Sequence, residues 1–111
     1  MSQHSFNTSF EGRPVLVVLG YDRPLGGFFC FVEKCDAAGD DEDEDEFVYS
    51  NLADPKLARC FGLPKSLDYF KGVLHELGLQ VPASMFEQSN LDMRGNVGNR
   101  CVEHSADGRF A

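Results

Sequence analysis

Val15-Leu16-Val17-Val18-Leu19 and, after a turn-forming segment, Gly27-Phe28-Phe29-Cys30-Phe31-Val32-Glu33-Lys34 decide the fold class of this chain. The first run is five apolar residues long, too short for a helix, and β-branched at three of its five positions. Such a run reads as a strand buried on both faces. Between the two runs, Gly20-Tyr21-Asp22-Arg23-Pro24-Leu25-Gly26 is rich in turn formers, and its Asp22/Arg23 pair reads as an exposed part of the turn. In the second run Phe29 and Phe31 oppose Phe28, Cys30 and Val32, the two-residue period of a strand. Upstream, residues 4–10 place Phe6 and Phe10 on one face of an earlier strand, and Glu11-Gly12 turns the chain before Pro14. Downstream, Glu46-Phe47-Val48-Tyr49-Ser50 reads as a short strand antiparallel to 27–34.

The period then changes. Asn51 to Pro64 is irregular, with room for one helical turn near Lys56 to Cys60. From Ser66 onward Leu67, Phe70, Leu74 and Leu77 recur on one stripe beside Val73, while Asp68, Lys71, His75 and Glu76 fall elsewhere. Ser66 suits the N-cap, and Gly78 followed by Leu79 suits a left-handed C-terminal stop with an apolar contact. A second helix starting at Pro82 would turn Met85 and Phe86 inward. Asn90 to Asn99, with two glycines and three asparagines, reads as a loop, Arg100 to His104 as a last strand, and Asp107-Gly108 as a turn. Strands followed by helices and a final strand predict an α+β fold: an antiparallel sheet of four to five strands with two helices packed on one face. At 111 residues the chain fits a single compact domain, 1–111, with a core built largely on its ten phenylalanines.

The net charge of −8 is a local property. Residues 36–46 hold Asp36, Asp40, Asp41, Glu42, Asp43, Glu44, Asp45 and Glu46 and no base, which leaves acids and bases balanced over the rest of the chain. Consecutive carboxylates cannot lose their hydration without partners, so the segment is expected to be an acidic flexible loop in water. Its place at the tip of a hairpin, at unusual length, hints at a role. An extended chain spaces side chains roughly 3.3–3.6 Å apart, close to the ~3.4 Å phosphate spacing along one DNA strand, so the run can mimic a polyanion. A calcium loop is excluded: Asp41, Asp43 and Asp45 open like one, but Glu46 stands where Gly is needed and Leu52 where a bidentate Glu belongs.

Other chemistries find little support. The bases are scattered singly from Arg13 to Arg109, so direct nucleic-acid binding through a basic surface is not expected. No apolar run approaches the length of a bilayer span, and residues 1–10 do not read as a signal peptide, so a cytoplasmic protein with no membrane association is expected. The four cysteines, Cys30, Cys35, Cys60 and Cys101, are then free thiols by default. A zinc set would have to combine Cys30 and Cys35 with Cys101 and His104, but strand alternation separates the members of each pair. Cys101 or Cys60 with His75 or His104 could form a thiol-enzyme pair, though no oxyanion donors are marked nearby. There is no Walker A, G-x-S-x-G, H-E-x-x-H or dinucleotide fingerprint, and no cofactor or metal is expected. Gly95 to Asn99 reads as a chain reversal, and the flanking Arg94 and Arg100 form a possible anion site.

The leading expectation is a non-enzymatic interaction protein. Asp40, Asp41, Glu42, Asp43, Glu44, Asp45 and Glu46 would face a protein partner with a basic surface, with Tyr49 or Tyr21 as an aromatic anchor; an inhibitor or nucleic-acid mimic is one form of this expectation. Two alternatives stand beside it: a small thiol- or zinc-dependent enzyme using Cys101/His104, and a homodimer through the aromatic sheet face with an inert solubilising loop.

Overall fold

The computed structural model describes residues 2–22, 24, 26–34, 47–51, 54–60, 64, 66–95 and 100–105, without the side chains of 58–60. The acidic run Asp40–Glu46, Cys35, Arg23, the Cys60 side chain and the turn expected at Asp107-Gly108 lie outside the described residues. The elements are β1 (Ser2–Phe10), β2 (Arg13–Asp22), β3 (Gly27–Lys34), β4 (Phe47–Ser50), a 3-10 helix (Pro55–Cys60), α1 (Asp68–Glu76), α2 (Ala83–Arg94) and β5 (Arg100–His104). They form an α+β fold with one five-stranded sheet in the order β4-β3-β2-β1-β5. β1 to β4 run as an antiparallel meander, and β5 joins the far edge parallel to β1. A parallel neighbour needs a crossover, and the two helices between β4 and β5 supply it.

Local sequence explains most element ends. Glu11 and Gly12 both take positive φ, 51° and 80°, in the two-residue turn between β1 and β2, as a type I′ hairpin requires. Ser66 Oγ accepts the Asp68 N–H at 3.2 Å, although the N-cap of α1 is Leu67 and not the expected Ser66. At its other end Gly78 adopts φ +74°, its N–H bonds to the His75 carbonyl, and the Leu79 N–H reaches back to Leu74 at 2.9 Å. Those two bonds make a Schellman stop, and Leu74 and Leu79 are both buried over it.

Three expectations change. β2 runs on through Gly20, Tyr21 and Asp22, because pairing with β3 continues to Asp22↔Gly27. Tyr21 and Asp22 are therefore buried strand residues and not an exposed turn. Gly20 is required in that strand: a Cβ there would lie 2.0 Å from the Ser2 carbonyl oxygen and 2.7 Å from the Phe29 ring. The loop expected from Asn90 also gives way, since α2 continues to Arg94. Low intrinsic propensity in that turn is overridden by tertiary anchors on Asp92. Pro82 is the N-cap of α2, with extended ψ of 138°, one residue ahead of the helix.

Strand alternation sorts the sheet into two faces. Val15, Val17, Leu19 and Tyr21 of β2 and Phe28, Cys30 and Val32 of β3 share one core with Phe70 and Leu74 of α1 and Met85 and Phe86 of α2. Each fully buried Phe in this cluster, such as Phe28 or Phe70, contributes ~1.5–3 kcal/mol through burial. On the opposite face Phe29 stacks on Phe31 and Phe31 meets Phe47 edge-on, with centroids 6.4 and 5.7 Å apart. Phe47 ends this row and is 41% exposed. Among the described residues no helix is long and apolar enough to cross a membrane.

Candidate functional site

Two polar constellations stand out, one beneath α2 and one at the β4 edge. The first begins on β1, where alternation places Ser2, His4 and Phe6 on the helix side of the sheet. Register pairs His4 with Val102 of parallel β5, which puts His104 one diagonal step away on the same face. α2 lies across them with Ser84 and Asp92 facing down. Ser84 Oγ is 2.8 Å from His104 Nδ1, His104 Nε2 is 2.9 Å from His4 Nδ1, and His4 Nε2 is 2.6 Å from Asp92 Oδ2. Arg100 closes the far end by donating to Asp92 Oδ1 at 2.8 Å and to Gln88 Oε1 at 3.2 Å.

The carboxylate fixes the polarity of one bond in this chain. Asp92 only accepts, so His4 Nε2 carries a hydrogen and donates to Oδ2. Burial, with His4 and Arg100 nearby, brings His104 down to about 4, so the ring is neutral at neutral pH. Burial alone would raise the Asp92 carboxyl; hydrogen bonds from His4, Arg100 and Ser2 outweigh it and hold the group below the ordinary carboxylate range. Among the described residues no buried side-chain nitrogen or oxygen lacks a partner.

A serine aligned on a histidine whose ring is oriented by further groups is the arrangement that activates a hydroxyl for acyl transfer. Here access argues for a structural role. His4 and Asp92 are 0% exposed, His104 7% and Ser84 9%, and the Ser84 hydroxyl points at β5 inside the helix–sheet interface. An acyl group would reach it only if α2 lifted away. The chain of hydrogen bonds fastens α2 and β5, consecutive in the sequence, to β1 at its other end. It is not laid out for metal either: its ring nitrogens bond to one another, and among the described residues no three His, Cys, Asp or Glu side chains converge on a metal position.

The second constellation sits where β4 meets α1. Asp54 precedes Pro55 and caps the 3-10 helix, taking the Lys56 N–H on Oδ1 at 2.9 Å. Its Oδ2 accepts both Tyr49 Oη at 2.8 Å and Tyr69 Oη at 2.6 Å. Burial would raise the Asp54 carboxyl, but the two phenols and the Lys56 amide hold it below its ordinary range. The same bonds keep the phenols protonated: Tyr69 is pushed up to about 12, chiefly by Asp54, and Tyr49 is raised by burial and then by Asp54. A cavity of about 680 Å3 opens beside this cluster, lined by Phe47, Tyr49, Asp54, Lys56, Tyr69 and Glu76 among others.

The residues singled out from sequence are distributed across these regions. Tyr49 lies in the cavity wall, half-buried and tied to Asp54; Tyr21 is buried in the core. Arg94 is exposed at the end of α2, whereas Arg100 is committed to Asp92 and Gln88. Cys101 is exposed and His104 buried on alternate faces of β5, so the thiol–imidazole pair is not assembled. Cys30 faces the core, opposite to Cys101, and burial pushes its thiol up to about 12. His75 is exposed on α1. His4, Ser84 and Asp92 went unnoticed in sequence, although a signal was present. His4 shares the two-residue period of Phe6 and Phe10, and Asp92 follows Met85 and Ser89 on one helical stripe, so each is a polar group on a core-facing position that needs a buried partner. Compared with known proteins, the chain matches no family model, no curated protein and no solved structure.

Proposed function

We propose that this protein is a non-enzymatic, cytoplasmic interaction module that presents Asp40–Glu46 to a protein partner with a basic surface. The observation that carries this reading is the confinement of the whole net charge to residues 36–46. The flanking strands support it: β3 and β4 pair as Phe31↔Ser50, Val32↔Tyr49 and Glu33↔Phe47, so Lys34 and Phe47, the described residues on either side of the acidic segment, lie at the same end of neighbouring strands. A concentrated charge on a rigid base speeds encounter with an oppositely charged surface and makes the affinity salt-dependent. The partner surface can be one that normally holds nucleic acid, in which case the segment acts as a decoy for phosphates.

Affinity capture at low and high salt tests the reading, comparing the native chain with a variant carrying Asp41→Asn, Asp43→Asn and Asp45→Asn. A basic protein retained at low salt by the native chain, and lost in high salt and with the variant, is the expected result. A partner held equally by both chains removes the acidic segment from the interface.

The exposed Phe47 at the end of the Phe29–Phe31 row favours a second reading, a homodimer through that face. Light scattering on the native chain and on Phe47→Asp separates the two; a native monomer discards the dimer.

A further inference from the structure

We propose that the cavity at the β4–α1 junction is a seat for one arginine side chain of the basic partner. This rests on the acidic-segment reading for the identity of the partner, but the site itself is made entirely of described residues. Its chemistry is suited to a guanidinium in three ways. The wall is aromatic, with Tyr49 and Tyr69 on the helix side and Phe47, whose ring packs against Phe31, contributing at the rim, and a planar cation stacks on aromatic faces. Its charge is acidic: Asp54 is held ionised by its two phenols, and Glu76 stands exposed on the last residue of α1. Val73, Glu76 and Leu77 bring the C-terminal end of α1 to the cavity, and the partial negative charge of a helix C-terminus favours a cation there.

Hydrogen bonding points the same way. The Tyr49 and Tyr69 hydroxyls both donate to Asp54 Oδ2, and Oδ1 takes one backbone N–H. The carboxylate is thus fixed in place, and among the described residues Oδ1 retains a lone pair for a further donor. A guanidinium offers five N–H groups in a rigid fork, enough to reach Asp54 and Glu76 from a stacked position. Lys56 is the opposing feature. It lines the cavity and is exposed, so a bound arginine must displace its ammonium group. Removing that charge should therefore tighten binding, which a purely structural cavity would not show.

Amide chemical shifts of the full chain, titrated with N-acetyl-arginine methylamide and with its neutral citrulline counterpart, test the seat. Saturable shifts at Phe47, Tyr49 and Glu76 with the arginine compound, absent with citrulline, are expected. Phe47→Ala and Glu76→Gln alter exposed side chains and should each weaken binding about two- to fivefold, while Lys56→Ala should strengthen it. The titration is repeated with every Asp and Glu of 40–46 changed to its amide. Retained shifts support the seat independently of the acidic segment, even where the salt-dependent capture above fails. Equal response to citrulline, indifference to Phe47→Ala and Glu76→Gln, or loss of all shifts on neutralising 40–46 overturns the seat and leaves the acidic-segment reading to its own test.

Discussion

His4 on β1 and His104 on β5 meet with Nδ1 and Nε2 2.9 Å apart, although a hundred residues separate them in the chain. Their rings are 56° apart in orientation with centroids at 5.0 Å, so the contact is a hydrogen bond between edges and not a stack. Ser84 and Asp92, both on α2, take the two outer nitrogens. The helix and the edge strand are thereby tied to β1 through one line of buried polar groups, in which each member depends on the next.

Breaking that line from its centre should be costly. His4→Ala leaves Asp92 without its 2.6 Å hydrogen bond and His104 Nε2 without its partner, in a site closed to water. A loss of about 3–5 kcal/mol in unfolding free energy is expected from removing one partner of a buried ionised network, read from urea denaturation. Glu103→Ala, on the exposed face of the same edge strand, should change stability by less than about 0.5 kcal/mol.

Acid should weaken the fold through His104. Its folded value of about 4 lies below the ordinary 6.5, so between those limits the unfolded chain binds more protons than the folded one and stability rises with pH. The contribution is fully present above pH 6.5 and lost as pH falls toward 4, amounting to about 3 kcal/mol. Asp92, held below its ordinary 3.8, adds a loss in the same direction at still lower pH. Urea midpoints measured between pH 4 and 7, together with the imidazole proton shifts of His104, check this; a His104 that titrates near 6.5 in the folded chain contradicts it.

Two glycines should respond to alanine with opposite signs. Gly20→Ala drives a methyl group into the Ser2 carbonyl and the Phe29 ring, and a destabilisation of about 2 kcal/mol or more is expected from overpacking and local displacement of β1. Gly72→Ala, inside α1 with nothing within 4 Å of the new Cβ, should stabilise by about 0.5–1 kcal/mol through reduced backbone freedom in the unfolded chain. Thermal unfolding of the two variants against the native chain reads both signs.

The thiols should divide by burial. In a background with Cys35→Ser and Cys60→Ser, Cys101 is exposed and should react with a thiol reagent under native conditions. Cys30, buried with its thiol pushed up to about 12, should react only after unfolding. Mass spectrometry before and after denaturant counts the labels, and early labelling of Cys30 would show that the β2–β3 core opens readily.

Much of the fold is written in short-range pattern. The β-branched run at Val15–Leu19 is a strand because alternation and brevity leave no other element for it, and Phe70 and Leu74 are buried because helical spacing puts them on one stripe. Gly78 stops α1 because positive φ is open to glycine at little cost. The end of α2 was less legible. Asn90 and Asp92 weigh against a helix by propensity, and what keeps them helical is Asp92 bonding to His4 on another element.

Sequence alone determined which residues share a face within most strands and helices, because those periods are properties of the backbone (the bulge that parts Phe47 from Tyr49 is the exception), and it determined that the charge is local, because charge is simply counted. Tertiary structure alone decided that β5 returns to the far edge beside β1, that four scattered polar side chains close into one line beneath α2, and that Tyr49 and Tyr69 converge on Asp54 beside a cavity. The reason is range. A local period orients a side chain within its own element, but which partner it meets across the fold depends on the path by which the chain comes back.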